Sequence, residues 1–133
     1  MGQLLPRHLF RIISLMLLTF SGCRQSRNAP GQDAINAIKL KKGDIVLCGP
    51  ADNQFGTVRF QNSCSEKVKS DFDLAIALLH SFEYDEAEKV FAKIIDEEPG
   101  CPMAYWGVAM SNYHQVWPSP PTQEEIEKGR KAI

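Results

Sequence analysis

Apolar side chains recur at three- and four-residue intervals twice between positions 63 and 98, with a polar interruption between the two runs. In the first run, Val68, Phe72, Ala75, Ile76, Leu78 and Leu79 cover more than one helical face, as a helix packed between neighbours requires. In the second, Ala87, Val90, Phe91, Ile94 and Ile95 follow the helical period until Pro99-Gly100 stops it. Ser63 with Glu66 is a capping-box pattern and predicts the first helix over about 64–81, while Asp85 is placed to cap the second. Pro102 fits the first turn of a third helix, where its missing donor costs nothing, and that helix is predicted to continue to His114. Pro118, Pro120 and Pro121 make 115–121 a rigid loop. Thr122 and Glu125 then form another capping box, opening a helix from about 123 that is still running at Ile133.

Upstream of 63 the pattern changes. Positions 45–48 and 57–60 are short β-prone stretches separated by Gly49, Pro50, Asp52, Asn53 and Gly56, which predicts a hairpin-like cap over 43–62. Positions 23–42 are mostly polar and read as a linker with a weak helical pattern over 34–40. At the front, Arg7, His8 and Arg11 precede an apolar run over 12–20, short for a bilayer span and suited to the core of a signal peptide occupying 1–22. Ser21-Gly22-Cys23 follows and resembles the bacterial lipobox, with Phe20 departing from the usual leucine three places before the cysteine. Cys23 is therefore the expected lipidation site. Acyl chains contribute about 0.8 kcal/mol per buried methylene, so two or three would anchor the mature chain to a membrane on its extracytoplasmic side. Arg24 after the cysteine does not resemble an inner-membrane retention signal.

A period of 34 residues organises the helical part: Phe72 falls on Trp106, Ala75 on Ala109 and His80 on His114. Tyr84, Ala87, Phe91 and Pro99 lie between the copies at the spacing of a second helix and its closing turn. On these residues 72–133 resembles tetratricopeptide repeats, and 43–117, with CGPADNQFGTVRF, ALLHSFEYDEAEKVF and CPMAYWGVAMSNYH, is similar to a family of bacterial exported proteins carrying such repeats. The resemblance implies an all-α fold, a tetratricopeptide-like solenoid of antiparallel helix hairpins over 63–133, preceded by the signal peptide, linker and cap. It also gives roles: Ala87 where the helices of one unit approach, Phe91 in the gap between units, Pro99 closing the second helix, Ala109 admitting the next helix, and Tyr84 in the inter-helix turn. Two positions depart from the repeat. Pro121 stands where a small residue equivalent to Ala87 belongs, and Asn112 stands where an apolar residue equivalent to Leu78 belongs. Because such units stack, a helix still running at Ile133 leads to the expectation that these residues are the front of a longer repeat protein.

Stacked repeats place their first helices about 8 to 10 Å apart along a concave wall, so His80 and His114 become neighbours able to share a metal ion, a carboxylate or a water. The alternative is that each interacts with the C-terminal turn of its own helix. Phe72, Trp106 and Tyr113, with Met103 and Met110, would form either a groove for an apolar peptide or simply inter-helix core. Trp117, in the proline loop, is the candidate for exposed recognition. Fifteen basic and sixteen acidic side chains give a net charge of −1, which offers nucleic acid no electrostatic footprint. The acidic residues Asp85, Glu86 and Glu88, and then Asp96, Glu97 and Glu98, are read as a solvated helix face. With export, Cys48, Cys64 and Cys101 meet an oxidising compartment. Cys48 with Cys64 closes a short loop, and three buried thiols are the alternative. No phosphate loop, haem motif, HExxH or nucleophile setting is present. The expectation is a lipid-anchored repeat protein, not an enzyme and without cofactor, that binds a protein or peptide partner on its concave face through His80, Trp106, Tyr113, His114 and Trp117. The alternative is a metal- or small-ligand-binding protein built on His80 and His114.

Overall fold

The computed structural model describes residues 29–47, 55–113 and 119–133, and these form an all-α fold. Five α-helices follow in order: α1 Gln32–Ile38, α2 Lys69–His80, α3 Tyr84–Glu97, α4 Pro102–Ser111 and α5 Gln123–Ala132, with a 3₁₀ turn Glu66–Val68 leading into α2. The signal peptide, Cys23, Cys48, His114 and Trp117 lie outside the described residues.

The two apolar runs become α2 and α3, which pack antiparallel. Near one end Lys67 reaches Glu97 at 3.3 Å, and further along Lys93 pairs with Asp71 at 2.8 Å. Their shared seam is the centre of the core, where the Phe72 and Phe91 rings meet edge to face at 5.8 Å. Helix α4 packs on both α2 and α3, and α5 packs on α4 and α1. Pro102 is the first residue of α4 and Thr122 caps α5 with its complete box, both as the sequence implies. Close approach of α3 to α4 depends on Gly107, since a Cβ there would enter the Phe91 ring.

Three local expectations fail. The capping box at Ser63 does not form. Glu98, at the end of α3, instead takes the Ser65 N–H and hydroxyl, and the helix proper starts at Lys69 after the 3₁₀ turn. Asp85 does not cap α3. It lies inside the first turn, Glu83 is the N-cap, and Tyr84 begins the helix instead of sitting in the turn. The expected hairpin is absent among the described residues, which contain no strand. The reason is visible on the 45–48 side. The backbone N–H of Val46 donates to Glu86 Oε2 at 2.8 Å, so an α3 carboxylate stands in place of a ladder partner, and just upstream the Lys41 N–H donates to Glu88 Oε1 at 2.8 Å.

Candidate functional site

Helices α2 and α4 lie side by side, and one ring outside them touches both. The Phe60 ring, contributed by the extended segment before α2, stands 5.7 Å from Phe72 on α2 and 6.3 Å from Trp106 on α4, nearly parallel to the indole at 16°. Phe72 is fully buried and Trp106 half-buried. Phe72 and Trp106 belong to the aromatic surface that the sequence points to, and in this structure Phe60 of the chain's own segment 55–61 lies against both. Phe55, Val58 and Phe60 pack against the core, and Cys64 fixes the end of the segment.

The remaining expected site residues are distributed unevenly. His80 is the last residue of α2 and is exposed, at the end of the helix where a cation favours the dipole. Its counterpart His114 lies outside the described residues, as does Trp117. Tyr113 follows α4, is 51 % exposed and donates its backbone N–H to Met110. Among the described residues no three His, Cys, Asp or Glu side chains converge as a metal site.

The disulfide differs from the expected pairing. Cys64 is joined to Cys101, with Cα atoms 5.0 Å apart, and not to Cys48. The physical reason is the packing of α2 beside α4. It brings the approach to α2 against the N-cap of α4, and 37 residues of sequence separation are closed by the fold. The alternative of buried free thiols falls with it for these two cysteines.

Reading the acidic face as solvated is also wrong at its centre. Glu88 is only 1 % exposed. Its carboxylate accepts from the Lys41 N–H and from Asn112 Nδ2 at 3.0 Å, and it pairs with the ammonium of Lys128 on α5. Asn112, the polar residue at an apolar repeat position, is thereby explained. Its amide also donates to Val108 O at 2.8 Å, so the side-chain nitrogen bonds both to the carboxylate and to its own helix. The cluster joins α3, α4, α5 and the segment after α1. A signal for it existed in the sequence, since Glu88, Ala92 and Ile95 fall at i, i+4 and i+7 on one stripe.

Around this cluster, charge is tightly paired. For Glu86, burial opposes ionisation, but hydrogen bonds from Lys89 and from the Val46 N–H outweigh it and hold the carboxyl below its ordinary range. For Lys41, burial likewise opposes the charge, but the hydrogen bond to Asp85 and the attraction of Asp85, Glu88 and Glu125 raise the ammonium pKa. These groups act as structural staples that tie α3 to the segment after α1.

Comparison of the chain with protein-family models, with curated proteins and with solved structures finds no match. No helix among the described residues is long and apolar enough to cross a membrane.

Proposed function

We propose that this chain is a membrane-anchored, extracytoplasmic tetratricopeptide-repeat lipoprotein that serves as a docking or assembly module for a protein or peptide partner. The observation that carries this reading is that Phe72 and Trp106, one 34-residue period apart, abut the same ring. Stacking of helix hairpins in register would bring equivalent residues of adjacent first helices to such a shared wall. Export is supported by the Cys64–Cys101 bridge, because disulfides persist in oxidising compartments. Cys23, after its small residues, supplies the anchor. The groups with buried charge hold helices together, so the reading contains no catalytic step.

The test is site-specific photo-crosslinking in cells from Tyr113, which is exposed beside the end of α4. A defined adduct that disappears with Trp106→Ala, in a chain that still folds, is the expected result. Absence of any defined adduct from Tyr113 and from neighbouring exposed positions overturns the docking role.

A further inference from the structure

The two extended segments that wrap the helices are held in different ways. Residues 41–46 are stapled through their backbone: the N–H groups of Lys41 and Val46 donate to Glu88 and Glu86, and Asp44 O accepts from Lys89 at 3.0 Å. Across 55–61, no hydrogen bond joins the backbone to any described residue. Among the described residues, side-chain packing alone seats this segment. Val58 and Phe60 face inward while Thr57, Arg59 and Gln61 are exposed, the alternation of an extended strand. Gly56, at φ 85°, turns the chain so that Phe55 also faces inward. The seat is not flush. Between the segment and the start of α2 lies a cleft of about 960 Å³, lined among others by Arg59, Glu66, Lys69 and Asp73. Asp73 pairs through one carboxylate oxygen with Lys69 at 3.6 Å, while its Oδ1 is buried without a hydrogen-bond partner among the described residues.

We infer that residues 55–61 are a resident stand-in for the ligand of the α2/α4 face. On this inference, which rests on the docking reading above, the partner is an extended peptide with an aliphatic residue two positions before an aromatic one. It displaces the segment and places its ring where Phe60 lies, between Phe72 and Trp106. The backbone of 55–61 has no protein hydrogen bonds to these helices to lose, so displacement exchanges one set of side-chain contacts for a matching set. The staple at Val46 and the disulfide at Cys64 keep the displaced segment tethered. A tethered competitor acts at an effective concentration of about millimolar, and the apparent affinity for a free peptide falls in proportion to the open fraction.

The experiment uses a fluorescein-labelled peptide of sequence FGTVRFQN, residues 55–62 of the chain, and the full chain as wild type, Phe60→Ala and Phe60→Leu. Fluorescence anisotropy is expected to show binding to both variants about tenfold or more tighter than to wild type. The same peptide with alanine in place of its second phenylalanine should bind none of them. Equal affinity for wild type and variants, or no binding to a variant that melts cooperatively by circular dichroism, overturns the inference. Should Phe60→Ala fail to fold, Phe60→Leu keeps the apolar volume, loses the ring stacking and carries the same comparison. In cells, an adduct from Tyr113 that increases in the variants supports the segment as competitor. Equal adduct yield in wild type and variants overturns the segment's role while leaving the docking reading intact.

Discussion

The side-chain amide of Asn112 donates to the carboxylate of Glu88 at 3.0 Å, and both residues are almost sealed from solvent. The pair sits where α3 meets α4, with Lys128 of α5 on the other carboxylate oxygen. Removing one partner of a buried charged cluster strands the others, so Glu88→Ala should destabilise the fold by about 3–5 kcal/mol. Asn112→Ala, which leaves one oxygen short of a donor, should cost about 1–3 kcal/mol. Urea unfolding of both single mutants and of the double mutant would measure their coupling, expected at about 0.5–3 kcal/mol because the groups share one network. Additive losses would remove the cluster as a unit.

Gly107 faces the Phe91 ring so closely that any side chain there displaces the aromatic at the centre of the core. Gly107→Ala should destabilise by about 1–3 kcal/mol through overpacking. Phe91→Leu alone opens space and should also destabilise. Combined with Gly107→Ala it should cost less than the sum of the two, because the new methyl occupies room that the ring vacated. Thermal melts of the four proteins check this.

The Cys64–Cys101 bridge closes 37 residues that contain all of α2 and α3. Loop-closure entropy for a loop of that size corresponds to about 4 kcal/mol. Reduction by dithiothreitol, or a Cys64→Ser, Cys101→Ser double substitution, should lower the denaturant midpoint accordingly. Substituting Cys48 alone should leave the bridge mass-detectable and the melt unchanged.

How much of this was legible beforehand follows the range of the interactions. Helices α2 to α5 were readable because their signals are local: apolar residues at helical spacing, Pro102 at a first turn, Thr122 with Glu125 three residues on. The box at Ser63 looked equally good locally and lost to Glu98, a competitor more than thirty residues away. The disulfide was missed because Cys48–Cys64 closes the shorter loop, whereas the bridge that forms spans 37 residues and joins the approach to α2 with the N-cap of α4. The strand expectation failed on the 45–48 side, where an α3 carboxylate took the Val46 N–H that a hairpin would use. Of the candidate face, Phe72 and Trp106, one period apart, both meet Phe60, and no local pattern announced that Phe60 would lie across them.

Phe82 closes α2 in the left-handed region, at φ 66°, while the Glu83 N–H bonds back to Leu78 O at 3.0 Å. This is the position after a helix where glycine is preferred, because a Cβ there crowds the backbone by about 1–2 kcal/mol. The Phe82 ring is 45 % exposed and meets Tyr84 edge-on at 6.4 Å, which offsets only part of that cost. Phe82→Gly should therefore stabilise the chain by about 0.5–1 kcal/mol, after glycine's own entropy loss. A lowered melting temperature would show that the Phe82 ring contributes more than its backbone strain removes.

Glu86 links pH to the anchoring of the segment after α1. Burial disfavours its charge, but the Lys89 ammonium and the Val46 N–H stabilise it further, leaving its folded pKa below the ordinary value of 4.5. A carboxyl whose pKa is depressed by folding contributes stability that is fully present above the unfolded pKa and is lost as pH falls through the folded one. Wild type should therefore lose stability on acidification below about pH 4.5, and Glu86→Gln should show a shallower loss there, with a lower starting stability at neutral pH. Hydrogen exchange provides the local readout. The Val46 amide should be protected at neutral pH in wild type and exchange faster both in Glu86→Gln and in wild type at acid pH, after correction for the intrinsic rate. Protection of Val46 unchanged by either treatment would mean that the carboxylate does not hold the segment.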